Sequence, residues 1–354
     1  MSGVFETALP RLRDLELIAR RAPSPHNTQP WLLHYSNDGI RLDYDPARHL
    51  TASDPHMRDL LLALGGFVEC LLIASHEARI PIRFSTDLDL ERRHVGWFHP
   101  AAIEYETKFT SKDILSRQTS RLAYRPIAIV GELGEALRRC LSPGEAIVQV
   151  RSSDIRNLLP VADRHFLDTP EIAMEFRRWC RLTPAEIAGA EDGLTADCLA
   201  LSAFEARILS LALRPRTHPW FRFLRLSLAI SMATRTLVPE ASGLMALVAP
   251  SESQEQVLAT GRTLMRLWLA LSRAGVHAQP LSQVLDCTET ARALHARLGF
   301  GSGQKILCLF RFGVSHAPAR SRRIVQSWER PALEESPAGG ALQTQQSPDG
   351  RLLR

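Results

Sequence analysis

Several signals that would settle the class of this chain at once are missing from it. Its six cysteines (Cys70, Cys140, Cys180, Cys198, Cys287 and Cys308) form no Cys-x-x-Cys pair and no metal-ligand spacing, which argues against a zinc ribbon or a dithiol redox site. His49, His56, His94 and His99 have no carboxylate or cysteine partners at ligand spacing, so no metal is expected. No Gly-x-Gly-x-x-Gly follows a strand and no Gly-x-Ser-x-Gly occurs, which removes the dinucleotide-binding fold and the serine-hydrolase elbow. Lysine is scarce: Lys108, Lys112 and Lys305 are the only ones. The net charge of +5 therefore rests on arginines scattered among acids, a poor match to a nucleic-acid stripe and a better one to a local arginine cluster around a phosphate-bearing ligand. Long apolar runs are lacking too. Leu60 to Ala74 is 15 residues long and carries Glu69, and Leu224 to Met232 is shorter and flanked by arginines; a membrane span needs about 20. The N-terminus has acids and arginines where a signal peptide has its apolar core. With unpaired cysteines, a reducing cytoplasm is the expected compartment.

What is present points to a packed protein of mixed α and β content. The 354 residues, 45% of them hydrophobic and 23% charged, suffice for two lobes or a duplicated unit. Periodicity predicts a helix over Pro10 to Arg21, a hairpin of Trp31 to Tyr35 with Ile40 to Tyr44 around Asn37-Asp38-Gly39, and a long apolar helix opened by Asp54-Pro55 and running to Arg79. Strands are expected at Ile82 to Leu88 and Ala102 to Tyr105. The pattern then restarts, with helices at Ser111 to Leu122 and Leu133 to Leu141 and a strand at Ala146 to Val150. A proline-broken helical region follows from Asp154 to about Leu237. After it come a strand at Leu244 to Ala249, a helix at Gln254 to Ala274 and a closing strand at Lys305 to Phe312. From Pro331 onward the composition predicts disorder. Aligning Gly65 with Gly261 pairs Leu71 with Leu267, Ala74 with Ala270 and Ala78 with Ala274. That register favours an internal duplication over two helices of similar composition.

Four segments carry candidate chemistry. Arg21-Ala-Pro-Ser-Pro-His-Asn-Thr-Gln-Pro-Trp31 fixes its backbone with three prolines and offers donors and acceptors at the end of a helix. Arg117-Gln-Thr-Ser-Arg121 sets two guanidiniums beside a hydroxyl, a pattern able to clamp a phosphate. Gln279-Pro-Leu-Ser-Gln283 follows the second long helix, and Arg320-Ser-Arg-Arg323 follows the closing strand. Alone, each is equally a turn, a helix face or a solvated basic run.

Together they resemble the nitroreductase family. The first segment is similar to its Ala-Pro-Ser-x-x-Asn-x-Gln-Pro-Trp signature, and the second to its Arg-Arg-Ser-x-Arg element, with Gln118 and Thr119 as departures. The resemblance spans about Arg13 to Trp328. It implies an α+β, nitroreductase-like fold that binds FMN: Pro23, Ser24, His26, Asn27 and Gln29 seat the ring, Arg117, Thr119, Arg121, Arg320, Arg322 and Arg323 hold the phosphate, and Pro280, Leu281 and Ser282 offer backbone groups near N5. No side chain is assigned to catalysis, because flavin N5 carries the chemistry. Family members are homodimers with two flavins. Here the ring loop stands only in the first half and the phosphate elements only in the second, and Cys140-Leu-Ser-Pro-Gly-Glu145 replaces the loop where it should recur. The chain thus resembles the single-chain, tandem (Acg-like) branch, with halves at 1–107 and 108–330, a helical lid insertion over 164–240, a tail at 331–354 and one site. The expected activity is hydride transfer from NAD(P)H through FMN to an electron-poor acceptor. A protein that binds and sequesters FMN with little turnover, or a scaffold without cofactor, stays open. A monomer suffices, and a dimer stays open as well.

Overall fold

The structure is a computed structural model and describes residues 2–225, 227, 243–301 and 303–325. The expected tail at 331–354 and the end of the helical region, 228–237, lie outside the described residues.

The first part runs α1 (Ser2–Ala19), β1 (Trp31–Ser36), β2 (Gly39–Tyr44), α2 (Arg58–Glu77), β3 (Ile82–Asp89) and β4 (His94–Pro100). Its sheet is antiparallel with strand order β1-β2-β4-β3. Next come α3 (Ser111–Ser116), α4 (Gly131–Arg139), β5 (Ala146–Gln149), α5 (Ser152–Ile155), α6 (Leu159–Asp168), α7 (Pro170–Trp179), β6 (Cys180–Arg181), α8 (Pro184–Ala188), β7 (Leu194–Thr195), α9 (Ala203–Ala212) and α10 (His218–Phe223). The chain closes with β8 (Gly243–Ala249), α11 (Gln254–Arg273), β9 (His277–Pro280), α12 (Gln283–Asp286), α13 (Thr288–Arg297) and β10 (Lys305–Gly313). The second sheet has the order β5-β8-β10-β9. With β5, β8, β9 and β10 set against β1, β2, β3 and β4, it is the same order, with α11 in the place of α2.

The two central helices meet at their glycines. A Cβ on Gly65 would lie 2.1 Å from the Leu258 carbonyl oxygen, and one on Gly261 would lie 2.4 Å from that of Leu62. No other residue allows so close an approach without displacing backbone. Around this crossing a single core runs through both sheets, from Leu60, Leu64 and Phe67 of α2 to Leu267, Leu271 and Phe310. By length and hydropathy α2 could cross a membrane, but every residue from Leu60 to Ser75 is buried here.

Several expected boundaries move, each for a local reason. The first helix begins at Ser2 and contains Pro10 instead of starting there. The long apolar helix starts at Arg58, and Asp54 serves as a cap whose carboxylate accepts the Leu60 N–H at 2.9 Å. The strand expected at Ala102 to Tyr105 lies at His94–Pro100; past it the Ala101 N–H still donates to the Pro81 carbonyl at 3.0 Å, but Pro81 has no N–H to return a bond and the ladder ends. The helix expected to reach Leu122 stops at Ser116. Arg117 turns to an extended conformation and Thr119 bridges to Ala278 beside β9. In the proline-broken region, Pro170, Pro184 and Pro219 each sit in the first turn of a helix, where the missing N–H costs nothing.

Candidate functional site

The segment after α1 is held in an unusual backbone. His26, Asn27 and Gln29 have φ of 48, 59 and 54°, the left-handed region that non-glycine residues rarely adopt. Surrounding bonds enforce it. The Ser24 hydroxyl accepts the Gln29 N–H at 2.9 Å, and the Gln29 side chain accepts the Ile324 N–H at 2.9 Å and donates to the Glu191 carbonyl at 3.0 Å. Trp31 is buried and stacks on Phe67 at 4.9 Å. Below the segment, the buried Arg20–Glu16 pair fixes the last turn of α1.

Arginines from distant parts of the chain converge there. Arg323 donates to the carbonyls of Arg20, Arg21 and Ala22 at 2.6, 3.2 and 3.2 Å, and to Asn27 Oδ1 at 2.7 Å. Arg117 is buried, reaches the Arg21 carbonyl at 3.4 Å and Thr119 Oγ1 at 3.3 Å, and lies 6.0 Å from the Trp268 ring. Arg21 donates to the Ser321 carbonyl at 3.0 Å, and Arg121 to that of Cys198 at 2.9 Å. Every one of these acceptors is neutral, and among the described residues no carboxylate pairs with Arg21, Arg117, Arg121 or Arg323. The buried Nε atoms of Arg21 and Arg117 have no partner. Burial lowers both guanidiniums to about 10, Arg320 pressing further on Arg21 and Arg21 on Arg117. Arg323 is lowered in the same way by burial and by both neighbours. Buried cations in this number, short of counter-charge, make an anion site.

The cavity between them has a volume of about 50 Å³ and is lined by Pro23, Ser24 and Asn27 from the first loop, Arg117, Thr119 and Arg121 from the segment after α3, Ser321 and Arg323 from the closing segment, and Leu194 and Cys198 from the region after β5. Other expected site residues lie elsewhere. His26 packs between Phe166 and Phe176, at ring distances of 6.0 and 5.1 Å, and burial with help from Arg121 lowers it to about 4. Gln29 is a buried staple. Leu281 is in the second core cluster, its N–H already given to the Leu309 carbonyl at 2.8 Å, and Pro280 and Ser282 flank it outside the cavity lining. Of the basic run, Arg320 and Arg322 turn outward to the carbonyls of Leu115 and Ala190. In an extended segment alternate residues face opposite ways, so Ser321 and Arg323 face in. Arg21 and Ser321 went unassigned in the sequence, although Arg21 opens the recognised segment. Leu194 and Cys198 carried no signal at all.

The region from Glu175 to Gly193 lies against the first loop. The Asn27 side chain donates to the Gly193 carbonyl at 3.0 Å and the Gly193 N–H returns a bond to the Asn27 carbonyl at 3.2 Å. Arg48 ties Thr28 to Asp192, and Glu175 accepts the Ala52 and Ser53 N–H groups at 3.0 Å each.

No family model matches the chain. It is 26% identical over 315 residues to PigM of Serratia sp., a probable NAD(P)H nitroreductase, covering 82% of this chain and 84% of that one. An uncharacterized protein of Mycobacterium tuberculosis is 25% identical over 294 residues, covering 79% and 80%. The first relative supports the likeness to nitroreductases that the sequence motifs carry. Among solved structures, an FMN-dependent nitroreductase of Mycobacterium smegmatis in complex with NADPH superposes at a TM-score of 0.34 with 20% identity over 58% of this chain and 86% of that one. A nitroreductase of Bacteroides fragilis with bound FMN gives 0.34 with 13% identity over 63% and 97%. Superpositions this loose add nothing to what the chain's own residues say.

Proposed function

We propose that the chain is an FMN-dependent oxidoreductase of nitroreductase type, taking electrons from NAD(P)H to an electron-poor small molecule. One observation carries this most: Arg21, Arg117 and Arg323 are gathered in one cavity without a carboxylate, beside the Ser24 and Asn27 loop. That donor set fits a flavin phosphate, and the orphaned Nε atoms of Arg21 and Arg117 are what such an anion would satisfy. When bound, FMN would supply the atom that accepts and returns hydride. The residues' own tasks are binding and positioning. Arg117, Arg21 and Arg323 neutralise the phosphate, Thr119 adds a hydroxyl, and Asn27, locked by Arg323 and Gly193, holds a polar edge toward the cavity. No side chain is asked to move a proton.

The same reading takes the chain as two fused halves, 1–107 and 108–330. The repeated strand order and the Gly65–Gly261 crossing support it, as does the assembly of one cavity from the first half's loop and the second half's arginines. The segment within 164–240 acts as a lid, a role supported by its bonds to Asn27, Gln29 and Arg121. A cytoplasmic setting fits the six free, buried cysteines. The closeness of the inserted segment to the cavity favours a second reading, in which FMN is bound and sequestered with little turnover. Anaerobic addition of NADPH or NADH to the FMN-loaded protein separates them. Bleaching of the visible flavin band supports the oxidoreductase, and a band that persists supports sequestration.

A further inference from the structure

Helix α9 is apolar on two opposite faces. Ala206, Ser210 and Leu213, at the spacing i, i+4, i+7, turn inward and are buried. Phe204, Ile208 and Leu211 repeat the same spacing on the far side and are 73, 49 and 44% exposed. The neighbouring α10 does the same within one turn. His218 and Phe221 are buried, His218 bonding the Leu167 carbonyl at 2.8 Å, while Trp220, Phe223 and Leu224 are 66, 76 and 60% exposed. Six large apolar side chains left in water on two consecutive helices exceed the scattered exposure of an ordinary surface.

Charge identifies what covers them. From Ala206 to Pro239 the sequence contains no Asp or Glu. In the described part of that stretch Arg207, Arg214, Arg216, Arg222 and Arg225 are all exposed, and none makes an ion pair among the described residues. A second copy docking here would set these guanidiniums against their own images, at a repulsive cost. Glu205, the one acid in α9, is turned back to the Ser202 cap, and aromatic and aliphatic side chains followed by arginines match the boundary of an anionic bilayer, where rings and chains enter the acyl region and guanidiniums meet lipid phosphates. We propose that the α9–α10 face docks this protein peripherally on a membrane surface rich in acidic phospholipid. The inference stands independently of the flavin reading.

The test uses the full chain and sedimentation with vesicles of phosphatidylcholine, with and without phosphatidylglycerol. The protein should sediment with the anionic vesicles alone and be released by salt. Arg222→Ser should weaken binding by about five-fold, and Trp220→Ser with Phe223→Ser should weaken it by more, with unfolding temperatures unchanged. These positions are exposed, and if the double variant fails to fold, the Arg222→Ser and salt series still decide. Absence of binding to anionic vesicles overturns the proposal, as does binding indifferent to these substitutions. A concentration-dependent dimer abolished by them would assign the face to a second copy and overturn it too. So would retention of an acidic protein in place of vesicles.

Discussion

Two groups of arginines lean on the same pair of central helices, and they differ in what neutralises them. Arg262 and Arg266 of α11 close on Glu69 of α2 at 3.0 and 3.1 Å; Glu69 is fully buried and also accepts from the Tyr105 hydroxyl. Arg266 goes on to bond the Cys140 carbonyl and the Ser142 hydroxyl. Among the described residues Arg21, Arg117 and Arg323 have no such carboxylate, and their acceptors are carbonyls, two hydroxyls and an amide. One group carries its anion in the chain; on the proposed reading a ligand supplies the other's. The first is a finished piece of core, and the second is where binding energy is available.

The comparison breaks most sharply at the second group. Arg117→Ala and Arg323→Ala should each weaken FMN binding by about a hundred-fold or more, read by fluorescence titration, since each removes a charge-assisted contact to a desolvated phosphate. An unchanged affinity would return the cavity to a scaffold role. The crossing of α2 and α11 comes next. Gly261→Ala drives a methyl against the Leu62 backbone and should cost about 3 kcal/mol in urea unfolding. A neutral result would mean that the helices can part without loss. Glu69→Gln then tests the first group. It should cost about 2 kcal/mol, less than breaking a fully buried pair, because Arg262 and Arg266 keep 28 and 19% exposure. FMN affinity should stay put, and a shift in it would show the two groups to be linked.

The smallest effect concerns His26. Its folded value of about 4 lies below the ordinary 6.5, so the unfolded chain takes up the proton first. Its contribution to stability is therefore present above about 6.5 and lost as pH falls toward 4. His26→Asn, which tolerates the left-handed backbone, should flatten the loss between pH 7 and 4.5 by about 1 kcal/mol. Equal pH profiles for the two proteins would contradict the burial of a neutral imidazole.

Much of the architecture is legible in the sequence because local pattern and tertiary outcome agree. The Gly65 and Gly261 register lies at the crossing itself, and the Asn37-Asp38-Gly39 turn joins β1 to β2. Disagreement arises where a partner far along the chain decides. Arg117 leaves its helix early to join the edge of the second sheet, and Leu281 gives its N–H to Leu309. Which of Arg320, Arg322 and Arg323 faces inward depends on the phase of an extended segment, which composition does not record. Leu194 and Cys198 reach the cavity from the region around β7, which has no motif of its own.

The central claim is that the cavity of Arg21, Arg117 and Arg323 takes one FMN. Equilibrium dialysis of the purified full chain against FMN, with bound flavin counted by its visible absorbance, tests this most directly. The account predicts saturation at one FMN per chain, lost in Arg117→Ala and kept in Glu69→Gln; no bound FMN, or two per chain, would contradict it.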